Sequence, residues 1–331
     1  MINVVSSSMR CLVLSNPNST SHTHELFQAI IPPLAQVSEL RAVYTEYPGH
    51  ARELCAGLRR TDYDAIIAIG GDGTVNEVLA GLLGDDPAVR PSAAELPALG
   101  IIPTGSANVF ARALGFPNDP GRTAVVLAEL LHAQAYRRLP VGLINGRWFC
   151  VNAGFGLDAE VIGRMEKIRA SGGLATPWRY SVVALNVWRK LRKATLEIRF
   201  HARCTDGENY RGTAAFVIVS NTNPWSYAGP IPLAPNPDHD FDNGLALYAV
   251  NDMTGPVGFL TLSRMLGLPV RNVARDLIDF RETRIDGIEQ ITLTNPHPLK
   301  WQVDGEYVGE NTEVSISFSP QAIDVISPKT A

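Results

Sequence analysis

The sequence predicts two domains of different class: a doubly wound α/β domain over residues 9–135 and an antiparallel β-sandwich domain over 136–310. Three observations carry this. At about 150 residues per domain, 331 residues suggest two. Short apolar runs alternate with helical patterns through the first 115 residues, the rhythm of a mostly parallel sheet. After about residue 136, strand follows strand, the rhythm of a sandwich.

Residues 11–14 (Cys-Leu-Val-Leu) form the first predicted strand, ending at Asn16-Pro17. A helix over 24–34 follows, then a strand over 40–44 and a helical stretch over 50–60. Residues 64–69 read as a buried strand running into Gly70-Gly71, and 75–83 carry apolar residues at helical spacing. A strand over 98–102 and a helix over 109–114 close this series. In the second half, strands are expected at 136–145, 148–152, 194–203, 213–220, 245–250, 290–294 and 313–318. Helices over 177–193 and 257–266 interrupt them, and the Pro-rich stretch 224–237 reads as a loop.

Composition narrows the function classes. Twenty-nine Lys and Arg against thirty-three Asp and Glu leave a net charge of −4, without the basic footprint that nucleic-acid binding needs. Hydrophobic residues at 45% and charged ones at 19% describe a globular chain with a sizeable core. Cys11, Cys55, Cys150 and Cys204 are too scattered for a metal or disulfide framework, which suits reduced thiols in a cytoplasm. There is no apolar run of the roughly 18 residues that span a bilayer, and no signal-peptide pattern. The expectation is a soluble cytoplasmic protein, its first eight residues a leader outside the fold.

The segment Gly70-Gly71-Asp72-Gly73-Thr74-Val75-Asn76-Glu77 follows a buried strand and opens a helix. Glycines let a backbone approach a ligand, and bare N–H groups at a helix N-terminus favour phosphate. Asp72 has two readings at this point: a ligand for Mg²⁺ or an orienter of a nucleophile, or simply a cap on a tight strand-to-helix turn. One βα unit downstream, Pro103-Thr104-Gly105-Ser106-Ala107-Asn108 repeats the strand, Gly/Ser turn and helix sequence. Two such turns at adjacent strand ends could hold a nucleotide from both sides.

With these two blocks in view, the chain resembles the diacylglycerol kinase catalytic-domain family, in particular its bacterial lipid kinases, relatives of sphingosine and ceramide kinases. The first block continues as Val78-Leu79-Ala80-Gly81-Leu82, and the second appears as Pro103 to Arg112 with Ser106 in place of Thr. Asn16-Pro17-Asn18-Ser19 and Thr45 with Gly49-His50-Ala51 fit the first two strand-end loops. The resemblance implies an N-terminal domain like those of NAD kinase and phosphofructokinase, to which a tail of about residues 311–331 returns. It implies ATP held by Asn16, Thr45, Gly70, Gly71, Asp72, Gly73, Thr74, Val75, Asn76 and Ser106, and Mg²⁺ as the accompanying cofactor.

Two C-terminal blocks extend the match. Gln302-Val303-Asp304-Gly305-Glu306 is on its own a hairpin signal, Asp-Gly between two strands. By the resemblance, Glu306 accepts the proton of the lipid hydroxyl, Asp304 is its neighbour in the same network, and Asp72, the third catalytic acid, organises Mg²⁺ or the acceptor. Asp240-Phe241-Asp242-Asn243-Gly244-Leu245 matches a structural Mg²⁺ site with Asp240, Asn243 and Leu245 as ligands, although Asn243 replaces an acid. The competing reading is an Asx-type turn ahead of the strand at 245–250. Val109 stands where the family has Asp, and Ala228-Gly229-Pro230 replaces a more glycine-rich run. The seven histidines show no metal spacing.

Residues 161–203 hold ten Lys or Arg against Glu166 and Glu197, a net +8 within a chain whose remainder is −12. Over 177–193, Trp178, Val182, Leu185, Trp188 and Leu191 recur at helical spacing among Arg179, Arg189, Lys190, Arg192 and Lys193. The tryptophan face reads as core packing. The basic cluster is either a solvated face or a peripheral contact with the inner face of a membrane. The expected reaction is ATP-dependent phosphorylation of a lipid hydroxyl at a membrane surface, most simply diacylglycerol to phosphatidic acid. Sphingoid or ceramide substrates, an NAD kinase, and a non-catalytic lipid or nucleotide sensor are the alternatives.

Overall fold

The computed structural model describes residues 9–17, 24–170, 177–191, 197–266, 268 and 272–328. The chain divides into two compact units, one formed by Met1–Leu139 with Gln321–Ala331, the other by Pro140–Pro320. The units therefore meet in the chain at residue 140 instead of 136, and the returning tail starts at 321, ten residues later than the sequence suggests.

The first unit contains β1 (Met9–Ser15), α1 (His24–Ala35), β2 (Ser38–Tyr44), α2 (His50–Cys55), β3 (Ala65–Gly70), α3 (Asp72–Leu83), β4 (Ala98–Pro103), α4 (Val109–Ala113), α5 (Pro120–His132) and the start of β5 (Tyr136–Ile144). β3 and β4 are buried at every position, which is why their sequences are unbroken apolar runs: helices cover both faces of a parallel sheet. β2, at the edge, is mostly exposed. The order is β2-β1-β3-β4, all parallel, with the end of the C-terminal strand added beside β4 through Val325 and Leu99. That added strand is held by Asp324, whose carboxylate takes hydrogen bonds from Arg138 at 2.8 Å and Arg60 at 3.1 Å.

Two elements differ from the sequence expectation here. The helix expected from Val75 starts at Asp72, so most of the glycine block is helix instead of loop. α5 went unpredicted, although Asp119 caps it by accepting the Arg122 N–H and Pro120 occupies its first turn.

The second unit continues with β6 (Arg147–Phe149), β7 (Asn152–Phe155), α6 (Leu157–Ala170), α7 (Pro177–Leu191), β8 (Ile198–Cys204), β9 (Asn209–Ala214), β10 (Phe216–Ser220), β11 (Ser226–Ala228), β12 (Ile231–Leu233), β13 (Leu245–Val250), α8 (Gly255–Met265), α9 (Asn272–Asp279), β14 (Glu282–Val303) and β15 (Glu306–Ile326), the last of which ends in the first unit. Pairing is antiparallel throughout. β13, β10 and β7 lie side by side, and the long β14 pairs with β13 through its first residues and with β7 through its last.

Strand alternation divides the core. Val217, Val219, Leu245, Leu247 and Ala249 join the interior between strands, whereas Phe216, Ile218, Tyr248 and Val250 face a second cluster with α6, α7 and α8. This explains why β10 and β13 carry no polar alternation: both faces are covered.

The short runs expected at 290–294 and 313–318 are pieces of strands of 22 and 21 residues. A register shift between Thr294 and Leu299, at Asn295-Pro296-His297-Pro298, breaks the apolar pattern without ending β14. The Pro-rich loop contains the hairpin β11–β12, and α6 and α9 add to the two helices expected. In α7, Trp188 is buried and its indole N–H donates to the Met253 carbonyl at 2.7 Å. Asn18 and Ser19 of the first loop, and Arg192 and Lys193 of the basic cluster, lie outside the described residues.

Candidate active site

In a sheet of order 2-1-3-4 the connections leave in opposite directions on either side of β1. The crevice beyond the strand ends, between β1 and β3, is where open α/β sheets take ligands. The strand-end residues converge there. Ser15 is in register with Ile69 and Tyr44, and Gly70 with Pro103. The ladders extend one residue further: the N–H groups of Asn16, Thr45 and Thr104 donate to the carbonyls of Ile69, Ser15 and Gly70 at 3.2, 2.9 and 3.0 Å. Asn16, Thr45 and Gly71 therefore lie along one edge of the sheet. Ser15 Oγ, buried just behind Asn16, has no hydrogen-bond partner among the described residues.

The two glycine turns touch. A Cβ on Gly105 would lie 2.7 Å from Gly71 Cα and 2.9 Å from Asn108 Oδ1, and one on Gly71 would lie 3.3 Å from Gly105 Cα. Gly105 has no room for a side chain and Gly71 little, so the two turns meet backbone to backbone, the lining an anion cradle requires. Thr74 is buried in the first turn of α3 beside Gly70, Val75 is buried and donates its N–H to Gly71 O, Gly73 and Asn76 are partly exposed, and Ser106 is exposed.

Asp72 is the first residue of α3, yet its carboxylate serves another helix. Its two oxygens accept the N–H groups of Val109 and Phe110 at 2.9 and 3.0 Å, capping α4. The cap reading thus holds on a neighbouring helix, and it clamps the second glycine turn to the first. Asn108 shapes the same turn from a left-handed conformation (φ 50°). Its side chain accepts the Gly105 N–H and donates to Gly105 O, both at 2.9 Å, and to Asn118 at 2.8 Å.

Glu77, quoted in the motif but given no role, does for α2 what Asp72 does for α4. Its carboxylate accepts the N–H groups of Gly49 and Ala51 at 2.8 and 3.2 Å. One helix thereby anchors the loop after β2 and the loop after β4. Only the family block Gly70 to Glu77 hinted at this, since both partners are distant in sequence.

In the second unit, Asp304-Gly305 forms a two-residue turn with positive φ at both positions (47° and 83°), linking the paired residues Val303 and Glu306. The Asp304 carboxylate accepts three backbone N–H groups, from Cys150, Val151 and Asn152 at 2.9, 2.8 and 3.0 Å. The Asp304 N–H returns a bond to Asn152 O at 2.9 Å. Asp304 thus ties the hairpin to the chain at 150–152. Glu306, first residue of β15, is exposed.

Behind the turn lies a polar network that the sequence did not announce. Buried Gln302 accepts the Gly305 N–H at 2.8 Å and donates to Asn152 Oδ1 and Asp158 Oδ2, each at 2.8 Å. Burial pushes the Asp158 carboxyl up to about 6, against the lowering influence of the Gln302 hydrogen bond. A Cβ on Gly154 would lie 2.2 Å from Asp158 Oδ2, so the glycine makes room for this acid. The available signal was Gly154-Phe155-Gly156-Leu157-Asp158, a strand end leading into an acid in a first helical turn.

The residues at 240–245 form the Asx-type turn. Asp240 Oδ1 accepts the Asp242 N–H at 2.8 Å and caps a short 3₁₀ turn over Phe241–Asn243, ahead of β13 with Leu245 buried. Asp240 and Asn243 are both exposed, and no group of three or more His, Cys, Asp or Glu among the described residues could hold a metal ion. The block holds two carboxylates, Asp240, whose Oδ1 closes the turn, and Asp242.

Residues 10–142 match the model of the diacylglycerol kinase catalytic domain. A protein of Staphylococcus saprophyticus named diacylglycerol kinase is 27% identical over 327 residues, covering 96% of this chain and 95% of its own. One of the same name from Staphylococcus aureus is 28% identical over 324 residues, covering 96% and 92%. A solved structure titled as a putative diacylglycerol kinase from Bacillus anthracis superposes with a TM-score of 0.69 over 97% of both chains at 23% identity, a likeness of fold. Over residues 10–142 the chain is thus similar to a diacylglycerol kinase catalytic domain, and over nearly its whole length to proteins that carry that name.

Proposed function

We propose that this protein transfers the γ-phosphate of ATP to the hydroxyl of a membrane lipid, diacylglycerol being the simplest acceptor and phosphatidic acid the product. The observation that carries the reading is the contact of the two glycine turns at the ends of β3 and β4, beside the β1/β3 switch point and inside the segment that matches the kinase catalytic domain. The turns meet backbone to backbone there, so the phosphates face N–H groups and the start of α3. Asn16, Thr45 and Ser106 border the same edge and would orient the rest of the nucleotide.

Mg²⁺ would arrive with ATP and neutralise its β- and γ-phosphates. Asp72 is the acid beside the cradle suited to hold it, while keeping its clamp on α4. Glu306 takes the proton as the lipid hydroxyl attacks, and Asp304 holds the hairpin that presents it. An alcohol with a pKa far above 7 needs such an acceptor, a contribution of about 10²–10⁴-fold. The basic helix α7 meets the membrane that supplies the substrate.

The test is Glu306→Gln assayed with radiolabelled ATP against diacylglycerol, sphingoid base, ceramide and NAD. Turnover of diacylglycerol by the wild type, lost in the variant with ATP binding intact, supports the reading. Full activity in the variant removes Glu306 as the base. No labelled product from any acceptor favours a nucleotide or lipid sensor.

A further inference from the structure

The exposed apolar side chains of the second unit are unevenly placed. Phe259, Leu268, Leu277 and Phe280 all fall on the hairpin of α8 and α9, at 46, 55, 56 and 90% exposure. Phe280 is the most exposed large hydrophobic residue among those described. The hairpin is well anchored beneath them. Ile278 is fully buried, Arg264 of α8 bridges to Asp279 of α9 at 2.6 Å, and the Phe280 N–H closes the last turn of α9 on Asp276 O. Phenylalanine and leucine held out by a rigid scaffold lose no packing on exposure to lipid and gain burial when they enter it.

Charge identifies what covers this surface. Within the hairpin Arg264 pairs with Asp279 and Glu282, and Arg281 with Asp252, so the four arginines of residues 252–282 are balanced by four acids and the positive excess lies beside it. The hairpin adjoins the most basic part of the chain. Trp188 of α7 packs against Phe259 with ring centroids 5.8 Å apart, and its indole N–H bonds to Met253 O just ahead of α8. Arg189 follows Trp188 and is exposed, and Val182 of α7 is exposed as well. Apolar side chains beside an excess of arginine and lysine match the two layers of an anionic bilayer surface, acyl region and headgroups. A neutral apolar groove on a protein partner would leave the +8 of residues 161–203 without complementary charge, which an anionic bilayer supplies.

We propose that the α8–α9 hairpin, flanked by α7, is the surface by which this protein docks on an anionic lipid bilayer, with Phe280 and Leu277 entering the acyl region. The proposal deepens the lipid-kinase reading, because it states how the enzyme reaches an insoluble substrate. Trp188 of α7 is packed inside, so the apolar part of the contact falls to the neighbouring hairpin. Basic residues then supply attraction, and the hairpin supplies insertion.

The test is flotation of the full chain with vesicles of phosphatidylcholine, with and without phosphatidylglycerol, in the absence of ATP and diacylglycerol. Wild type is expected to float with the anionic vesicles, less so at high salt. Leu277→Ser/Phe280→Ser is expected to lose binding by about tenfold or more. Both side chains are exposed, so its thermal unfolding and its turnover of a short-chain acceptor dispersed in detergent stay at the wild-type level. Vesicle binding by the double variant equal to wild type overturns the proposal, as does failure of wild type to float. A wild-type dimer that the double variant turns into monomer, without flotation, assigns the patch to a second copy and also overturns it. The readout is binding, so absence of kinase turnover refutes the functional reading while leaving the docking result standing.

Discussion

Replacing Asp304 with asparagine separates a catalytic role from a positioning one. Asparagine tolerates the left-handed backbone at 304, and Asn-Gly suits this turn at least as well as Asp-Gly, so the turn itself is unperturbed. The amide oxygen keeps the Val151 and Asn152 N–H groups, now as neutral bonds. The amide NH₂ replaces the oxygen facing the buried Cys150 N–H, leaving donor against donor. Hydrogen bonds to a charged group contribute about 1.5–3 kcal/mol, and a buried N–H without a partner costs about 1–3 kcal/mol. The expected loss is about 2–4 kcal/mol, set against a typical domain stability of about 5–15 kcal/mol. For a unit of this size, about 2–4 °C per kcal/mol lowers its melting transition by roughly 5–15 °C. Differential scanning calorimetry reads that shift, and kinase turnover measured below the new transition should stay within about tenfold of wild type. A variant that melts like wild type and has lost turnover would refute the reasoning, because Asp304 would then act on the reaction itself.

Gly105→Ala drives a methyl into Gly71 Cα and Asn108 Oδ1, and overpacking of about 1–3 kcal/mol should raise the ATP Kd about fivefold to a hundredfold. Isothermal titration with ATP checks this, and unchanged affinity would exclude the two turns as the phosphate cradle. Asp158 has its carboxyl raised to about 6 from 3.8, so the folded state holds the proton more tightly than the unfolded chain. Its contribution to stability is therefore present at low pH and is lost as pH rises from about 4 through about 6. Asp158→Asn keeps an acceptor for Gln302 without the charge. Its melting temperature relative to wild type should rise across that interval and level off above it. A difference independent of pH would show that Asp158 does not titrate there.

Much of the first unit was legible because its sequence signals are local. β3 and β4 are continuous apolar runs, and the glycine turns follow them directly. Asp119-Pro120 was an equally local start signal for α5 that the sequence reading left unused. Other features were hidden for a physical reason. The prolines and polar residues at 295–298 look like a strand end, yet β14 absorbs them as a bulge because β15 keeps pairing on either side. The 240–245 block supported a cation site and a turn equally, and the structure shows the turn, closed by the bond from the Asp242 N–H to Asp240.

By itself the sequence determined the two fold classes, the strand-turn-helix blocks at Gly70 and Pro103, the Asp-Gly hairpin and the concentration of positive charge in residues 161–203. These are matters of periodicity, backbone permission and composition, all readable within a few residues. Only the tertiary structure decided which donors the acids meet. Asp72 bonds to residues 37 and 38 positions away, and Asp304 to residues 152 to 154 positions away. A carboxylate has the same spelling whether it binds a metal, takes a proton or caps a helix. Its role follows from the donors that folding brings to it.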